Sequence, residues 1–456
     1  MVNEAVPAAF SLEWPITQTQ LDKIVAAFDA AIDRDLAAQM LTCVHCGLCA
    51  DSCHYYLTDP RPENIPAHKA EMVAGLYRRN HTLSGRLFPS LNHARPMDAA
   101  RAAEWIDSLY GRCSLCARCT VNCTVGIGLH QIIRAGRTAL AAAGLVPSAL
   151  QSTVDRAVET GNNMGISRDE WLETIEWLTD ELRNETGDPD ALLPIDKPDC
   201  DYLYAINPRE AKFYPLSLLA AGKLFYAAGI SWTFASDHYD VTNYGLFSGD
   251  NEISGMISGR LQETAARLNA KAIILGECGH GYNANRWEGP EWRGKPHERA
   301  EISILEIIQR SIQEGRIVLD PKRHATRVTL HDPCNLVRLG GVIEPQRSIL
   351  SRAVSEFVEM TPNLEKNFCC GGGGGQLSMT RYADRRILAG RIKADQIAAT
   401  EAKVVVAPCH NCIDQLSELN RQYKLGVEIK TVTEMVADAL VLAPRSAVTS
   451  DGGHPR

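Results

Sequence analysis

Two short runs constrain this chain more than anything else in it. TCVHCGLCADSCH sets cysteines at positions 43, 46, 49 and 53, and RCSLCARCTVNCT repeats the spacing at 113, 116, 119 and 123. The pattern is Cys-x-x-Cys-x-x-Cys-x-x-x-Cys, the spacing that wraps a four-iron cubane cluster. Three thiolates two residues apart reach three irons of one cube, while the intervening amides hydrogen-bond its sulfides.

In two-cluster ferredoxins the fourth cysteine of each run ligates the other cluster. By that rule Cys53 completes the set Cys113, Cys116 and Cys119, and Cys123 completes the set Cys43, Cys46 and Cys49. The proline that usually follows the fourth cysteine is absent, with His54 and Thr124 in its place; proline donates no ligand, so cluster binding is still expected. Zinc is the competing reading, but it prefers two separated Cys-x-x-Cys pairs. Eight cysteines in this tight spacing favour iron.

The chain holds 15 cysteines, too many to be incidental. Its N-terminus, MVNEAVPAAFSLEWP, lacks a basic n-region and a long apolar h-region, so no export leader is expected. Without export, the cysteines read as metal ligands rather than disulfides, and the expected compartment is cytoplasmic. A net charge of -8 argues against a nucleic-acid partner. No apolar run approaches the roughly 18 residues that cross a bilayer.

At 456 residues, 45% of them hydrophobic, the chain is long enough for about three packed domains. The expected division is a helical ferredoxin-type domain over 1–150, with two 4Fe-4S clusters, then a helical linker over 151–197. Beyond residue 198 short β-branched runs, YLYAI, KAIILG, RVTLHD and KVVVAP, alternate with helical segments, which is the mark of a parallel sheet. The pattern occurs twice. RVTLHDPC, a helix around 346–358, FCCGGGGG, a helix around 383–400 and KVVVAPCHNC are matched by YLYAINP, a helix around 216–228, SDHYDVTNYGLFSGDN, a helix around 255–269 and KAIILGECGHG. Tyr239 precedes Cys278 by 39 residues, as Cys370 precedes Cys409. The reading is an internal duplication, with a degenerate first half over 198–310, a complete second half over 311–440 and a flexible tail over 441–456.

Five further cysteines belong to the second half: Cys334, the adjacent pair Cys369 and Cys370, then Cys409 and Cys412. They are too dispersed for a cubane of ferredoxin type. Cys334 follows one predicted strand and Cys409 another, and the carboxyl ends of strands are where open α/β sheets build their sites. The pair runs directly into five glycines, NFCCGGGGGQ. Glycine lets a backbone lie almost on its ligand, as two neighbouring thiolates serving adjacent irons require.

HDPCNL, NFCCGGGGGQ and APCHNC resemble the CCG domain of heterodisulfide reductase catalytic subunits. With two ferredoxin-type runs in the same chain, the layout is most similar to the HdrD/DsrK-like family, and ECGHG at 277–281 is a further DsrK-like feature. The resemblance implies an α-helical two-cluster ferredoxin domain followed by a pseudo-duplicated α/β CCG-type catalytic domain with parallel sheets. It implies that Cys334, Cys369, Cys370, Cys409 and Cys412 bind a noncubane 4Fe-4S cluster, on which a disulfide or trisulfide-type substrate of sulfur metabolism is reduced or formed. Two cubane clusters would carry the electrons. Redox partner subunits follow (flavin, iron–sulfur or membrane cytochrome), with a small sulfur-carrier protein as a candidate substrate. They would also attach the chain peripherally to the inner face of a membrane.

The chain departs from the methanogen pattern, which has two complete CCG motifs. Its first half has Asn207 near the place of the first cysteine and SDHYD in place of Cys-Cys-Gly, leaving Cys278 aligned with Cys409. Cys278 is therefore a candidate substrate-side thiol, with His280 as its proton donor; the alternative is a buried relic. His331 and Arg338, flanking Cys334, are candidates for touching substrate or cluster, or for structural roles. His410 is expected to hydrogen-bond rather than ligate, Cys200 to pack, and Tyr282, Trp287 and Trp292 to line a partner surface or pack. Two other functions share this layout: the iron–sulfur subunit of a glycolate- or lactate-type dehydrogenase, and a pure electron-relay subunit.

Overall fold

A computed structural model describes residues 15–442. The leader reading on the first residues, and the expected tail beyond residue 442, lie outside the described residues. The N-terminal third is helical. Its apolar seam is built by the helices Gln18–Ala31, Pro66–His81, Ala99–Trp105 and Leu129–Ala142, which bury Leu21, Ile24, Phe28, Val73, Trp105 and Ile133 against one another. Phe28 meets Trp105 edge-on at 6.1 Å between ring centroids. Over residues 18–42 apolar residues recur at helical spacing, but the chain forms two helices, Gln18–Ala31 and Arg34–Thr42. Ile32 and Asp33 are extended, and the Asp33 carboxylate caps the second helix by accepting from Leu36 N.

Two further helices, Ser148–Thr160 and Arg168–Thr186, lead to the first of two parallel sheets. Its strands are β1 (Tyr202–Ala205), β2 (Trp232–Thr233), β3 (Ala272–Leu275) and β4 (Ala300–Ser303), in the order β2-β1-β3-β4. The second holds β5 (Arg327–Leu330), β6 (Glu356–Val358), β7 (Val404–Val406) and β8 (Glu428–Lys430), in the order β6-β5-β7-β8. Both orders are the same within each half. The central strands are nearly continuous apolar runs buried on both faces, as helix-covered parallel sheets require.

The predicted helix around 346–358 is shorter: Glu344–Ala353 is helical, and 356–358 form the edge strand β6. In each sheet the chain leaves the first strand toward one edge and the third toward the other. The crevice between those two central strands is the topological switch point. Cys334 and Cys409 stand just past β5 and β7, and Asn207 and Cys278 stand in the equivalent places past β1 and β3.

No helix of the described residues is long and apolar enough to cross a membrane.

Candidate functional site

The fifteen cysteines are all free thiols. Fold geometry gathers thirteen of them into three places. One cavity is lined by Cys113, Cys116 and Cys119 together with Cys53, and a second by Cys43, Cys46 and Cys49 together with Cys123. Each run thus lends its fourth cysteine to the other cavity. Left-handed backbone at His45 and Gly47, and at Leu115 and Ala117, curls both runs so that their thiols converge.

The third place joins three loops at the switch point of the second sheet. Cys334 Sγ lies 3.9 Å from Cys369 Sγ, and Cys370 Sγ 3.4 Å from Cys412 Sγ. All five thiols, Cys409 included, are buried. Cys370 falls well below the ordinary thiol range because Cys369 and Cys412 hydrogen-bond to its sulfur; Cys369 is lowered by Cys116 and Cys334. Backbone N–H groups of Gly371 and Gly372 point at these sulfurs, at 3.3 and 3.5 Å.

The glycine run does more than approach the thiols. It carries the loop against the second ferredoxin-type run. Gly374 has φ +65°, and a Cβ there would lie 2.7 Å from Ser114 Cα. Ser114 Oγ in turn is 3.6 Å from Cys369 Sγ. Gly374→Ala is expected to cost about 1–3 kcal/mol in denaturant unfolding, from backbone strain and overpacking together. An unchanged midpoint would mean that the loop is not pressed on Ser114.

Buried cations surround these places. Lys69, Arg118, Arg137 and Lys393 are at most 7% exposed. None is paired with a carboxylate among the described residues. Lys69 donates to Asn64 O and Arg112 O, Arg118 to Ser52 O and Lys366 O, and Lys393 to Asn367 Oδ1 and Met360 Sδ. Arg137 spreads five hydrogen bonds over the carbonyls of Leu109, Cys113, Phe247 and Gly374. Burial pulls Lys393 down to about 8, while the Asp332 carboxylate and, after it, Cys370, Cys369 and Cys412 act to keep it charged. Cys113 does the same for Arg137. Desolvated cations need anionic charge nearby; Asp332 supplies part of it for Lys393, and the neighbouring sulfurs supply the rest. The donor chemistry therefore fits iron–sulfur clusters: soft sulfur ligands, backbone amides aimed at sulfur, and buried cations for the net negative charge.

None of those four cations was singled out from the sequence. The available signal was lysine or arginine in small-residue helices, such as Arg137 in IIRAGRTALAA. Arg338 was singled out, and the structure gives it a definite task. Its guanidinium bonds the carbonyls of Cys116, Glu365 and Asn367, tying the second ferredoxin-type run to the CCG loop.

The first half differs in content. Asn207 Nδ2 lies 3.7 Å from Cys278 Sγ and 3.5 Å from Asn411 Oδ1 in the opposite half. His280 Nδ1 is 3.4 Å from Cys278 Sγ. The loop in place of Cys-Cys-Gly sends Tyr244 and Phe247 onto the His280 ring, at centroid distances of 5.0 and 4.9 Å. Cys278 is 0% exposed and His280 2%. Burial pushes the Cys278 thiol far up and lowers His280 to about 3. The pair is neutral at physiological pH.

His410 N bonds Glu277 O at 3.1 Å, and its Nδ1 faces Glu210 at 3.6 Å. Cys200 is buried in the core. Tyr282 is buried too, Trp292 packs under Arg134, and Trp287 is half exposed with its indole N–H on Gly340 O.

Two stretches of the chain match known domain families. Residues 328–417 match the cysteine-rich CCG domain, and residues 39–127 match the 4Fe-4S dicluster domain. The chain is 29% identical to the Hdr-like menaquinol oxidoreductase iron-sulfur subunit of Archaeoglobus profundus, over 95% of this chain and 85% of the relative. It is 24% identical to a subunit of the dihydromethanophenazine:CoB–CoM heterodisulfide reductase of Methanosarcina barkeri, over 88% of this chain and 94% of the relative. An EtfAB:quinone oxidoreductase of Syntrophomonas wolfei is also 24% identical, over 83% of this chain and 54% of the relative.

Proposed function

The chain is a CCG-domain, HdrD-like iron–sulfur oxidoreductase, and from that premise we propose that it moves electrons between a redox partner and a disulfide- or trisulfide-type substrate. The two ferredoxin-type sets, Cys43, Cys46, Cys49 with Cys123 and Cys113, Cys116, Cys119 with Cys53, would each hold a 4Fe-4S cubane. Cys334, Cys369, Cys370, Cys409 and Cys412 would hold one noncubane cluster. When bound, these groups supply one-electron transfer along the chain and iron for sulfur at its inner end. In this reading the chain divides into a ferredoxin-type region to residue 150, a helical connector to 197 and two halves meeting near 310.

The observation that carries the reading is the seam between the second run and the CCG loop. Ser114, between two proposed ligands of one cluster, touches Cys369, a proposed ligand of the other. Arg338 and Arg137 fix that seam by bonding carbonyls on both sides. Burial of the five CCG thiols keeps water from the sulfur chemistry.

Cleavage of a substrate S–S bond takes two electrons from the partner and two protons, and yields two thiols from a disulfide or a thiol and a persulfide from a trisulfide; formation is the reverse. Cys278 is the proposed substrate-side thiol. It would exchange into the substrate disulfide, its proton leaving with the first released thiol. The mixed disulfide would then take up the two electrons and two protons, releasing the second thiol and restoring Cys278 as a thiol. His280 is too well buried to be a charged acid. As a neutral ring 3.4 Å from the thiol it would orient Cys278 by a hydrogen bond rather than carry its proton.

Partner subunits are supported by the surface. Leu41, Val44 and Leu48, beside the exposed Cys46, are 47–67% exposed. Leu83, Leu87, Phe88 and Leu91 project from a stretch with no acidic residue between Glu71 and Asp98. Such apolar faces suit a docked redox subunit, whether flavin, iron–sulfur or membrane cytochrome. The relatives named as subunits lend the same support. We place the chain on the cytoplasmic side, held at the membrane by those partners.

A relay with no substrate of its own is the second reading. It is favoured by the sealed environment of Cys278, where Asn207, Tyr244 and Phe247 occupy the space a substrate would need. One experiment separates the two. The anaerobically purified chain is reduced with a viologen and offered small disulfides and protein trisulfides, while released thiol and the cluster spectra are followed. Catalysis predicts thiol release, a substrate-dependent change in the innermost signal, and a loss of roughly a hundredfold or more in Cys278→Ser at unchanged iron. No thiol release and no spectral change with any of them would leave the relay.

A further inference from the structure

One buried polar side chain on the CCG thiols has no task in this scheme. His331 stands immediately after β5, 0% exposed, with its backbone N–H bonded to Val406 O at 2.8 Å. Neither of its ring nitrogens has a hydrogen-bond partner among the described residues. Buried polar groups are nearly always paired, so an imidazole with both nitrogens open marks a missing neighbour.

Its direction is equally specific. A ring nitrogen of His331 lies within 4.8 Å of both Cys370 Sγ and Cys412 Sγ, two sulfurs that are themselves 3.4 Å apart. The polar groups around it are already engaged. The Asp332 carboxylate is held by Arg347 at 2.8 and 2.9 Å and by Leu364 N at 2.7 Å. Lys393 donates to Asn367 and Met360, and Arg338 donates to three carbonyls. What the ring faces is the space between the sulfurs.

We propose that His331 donates its ring N–H to sulfur at the Cys370–Cys412 corner of the cluster, and that this contact holds the reduction potential of the cluster up. The proposal rests on the reading that these cysteines bind a cluster. A donor aimed at cluster sulfur stabilises the more negative, reduced state, which is how outer-sphere hydrogen bonds raise iron–sulfur potentials. His331 is thus a positioning and tuning residue. Chain geometry supports the role: β5 ends in the switch-point crevice, and the next residues turn away to place Cys334 on the other side of the same site.

The test uses the cluster-loaded chain and two variants. His331→Leu keeps bulk without a donor, and His331→Gln keeps an N–H. The readouts are iron content, the midpoint potential of the inner-cluster EPR signal, and hyperfine coupling to 15N-labelled histidine. In wild type a weak histidine nitrogen coupling is expected, and it disappears in His331→Leu. The reduction equilibrium of that variant falls roughly tenfold, a shift of about 59 mV for one electron, and His331→Gln recovers part of it.

A wild-type signal without histidine coupling, or a His331→Leu midpoint equal to wild type at full iron, overturns the proposal. A strong coupling from an iron-bound nitrogen overturns it too, since the ring would then be a ligand. If His331→Leu fails to keep the cluster, His331→Gln decides: a histidine coupling seen in wild type and lost here supports the contact, and a coupling retained in His331→Gln refutes it. Failure of the underlying reading looks different. There Cys370→Ala would retain all its iron and the full set of signals.

Discussion

On the proposed three-cluster reading, Cys370→Ala is expected to lose about a third of the bound iron and its disulfide turnover, while the signals of the ferredoxin-type region persist. Cys370 is the hinge of its site. It is 1% exposed, accepts from Gly372 N at 3.5 Å, and lies 3.4 Å from Cys412 Sγ across a 42-residue separation. Alanine would remove a proposed ligand that the adjacent thiol is not placed to replace, since Cys369 is directed to Cys334 and Ser114. Iron per chain and EPR of the reduced protein measure the outcome. A variant with undiminished iron would show that the CCG thiols are not a metal site. Cys43→Ala is the complement, because it strikes the outer cavity and leaves the inner signal in place.

Arg137→Ala should destabilise the loaded chain by about 3–5 kcal/mol, the range for breaking a buried charged network. Fully buried, Arg137 bonds four carbonyls drawn from the helical region, the first half and the second half: Leu109 and Cys113, Phe247, and Gly374. Each carbonyl left without a partner adds a desolvation cost of about 1–3 kcal/mol. Arg137→Lys keeps the charge but not the planar fork, so a large part of the loss remains. Urea unfolding of the anaerobic protein reads the change. A loss below about 1 kcal/mol would mean that carbonyl relaxation or water replaces the clamp. Because Cys113 O is one of its acceptors, the inner electron-transfer rate should fall with stability.

How much of this was legible in the sequence follows from what each signal depends on. Cysteine spacing is local chemistry, so the two runs and the CCG constellation could be read directly, and the exchanged fourth cysteines share cavities in the structure. Central strands were readable because β-branched runs such as VVV are buried on both faces. The edge strands β2, β4, β6 and β8 were missed. They are two to four residues long, and β6 continues a stretch with helical spacing.

Other features depend on contacts far apart in the chain. Arg137 lies in an alanine-rich helix and looks like an ordinary surface arginine; only folding brings Gly374 to it, 237 residues away. The glycine run was read for its approach to the cluster, but Gly374 is needed equally for its approach to Ser114. The degenerate half was recognisable from its missing cysteines. That Tyr244 and Phe247 pack on the His280 ring could not be read from their positions in the loop.

The buried cations bear on how such a chain is made. Without cluster charge, Lys69, Arg118 and Arg137 would be desolvated beside thiols such as Cys113 and Cys119 that burial keeps protonated, so a tightly closed apoprotein would be disfavoured. A newly synthesised chain would therefore remain open at the seam until iron and sulfide arrive. Scaffold proteins that deliver clusters would meet an accessible loop rather than a sealed cavity. Closure around the last cluster would then commit the chain to its mature form. Arg118 and Arg137, whose buried charge discourages premature closure, would bond carbonyls on both sides of the seam once it is shut.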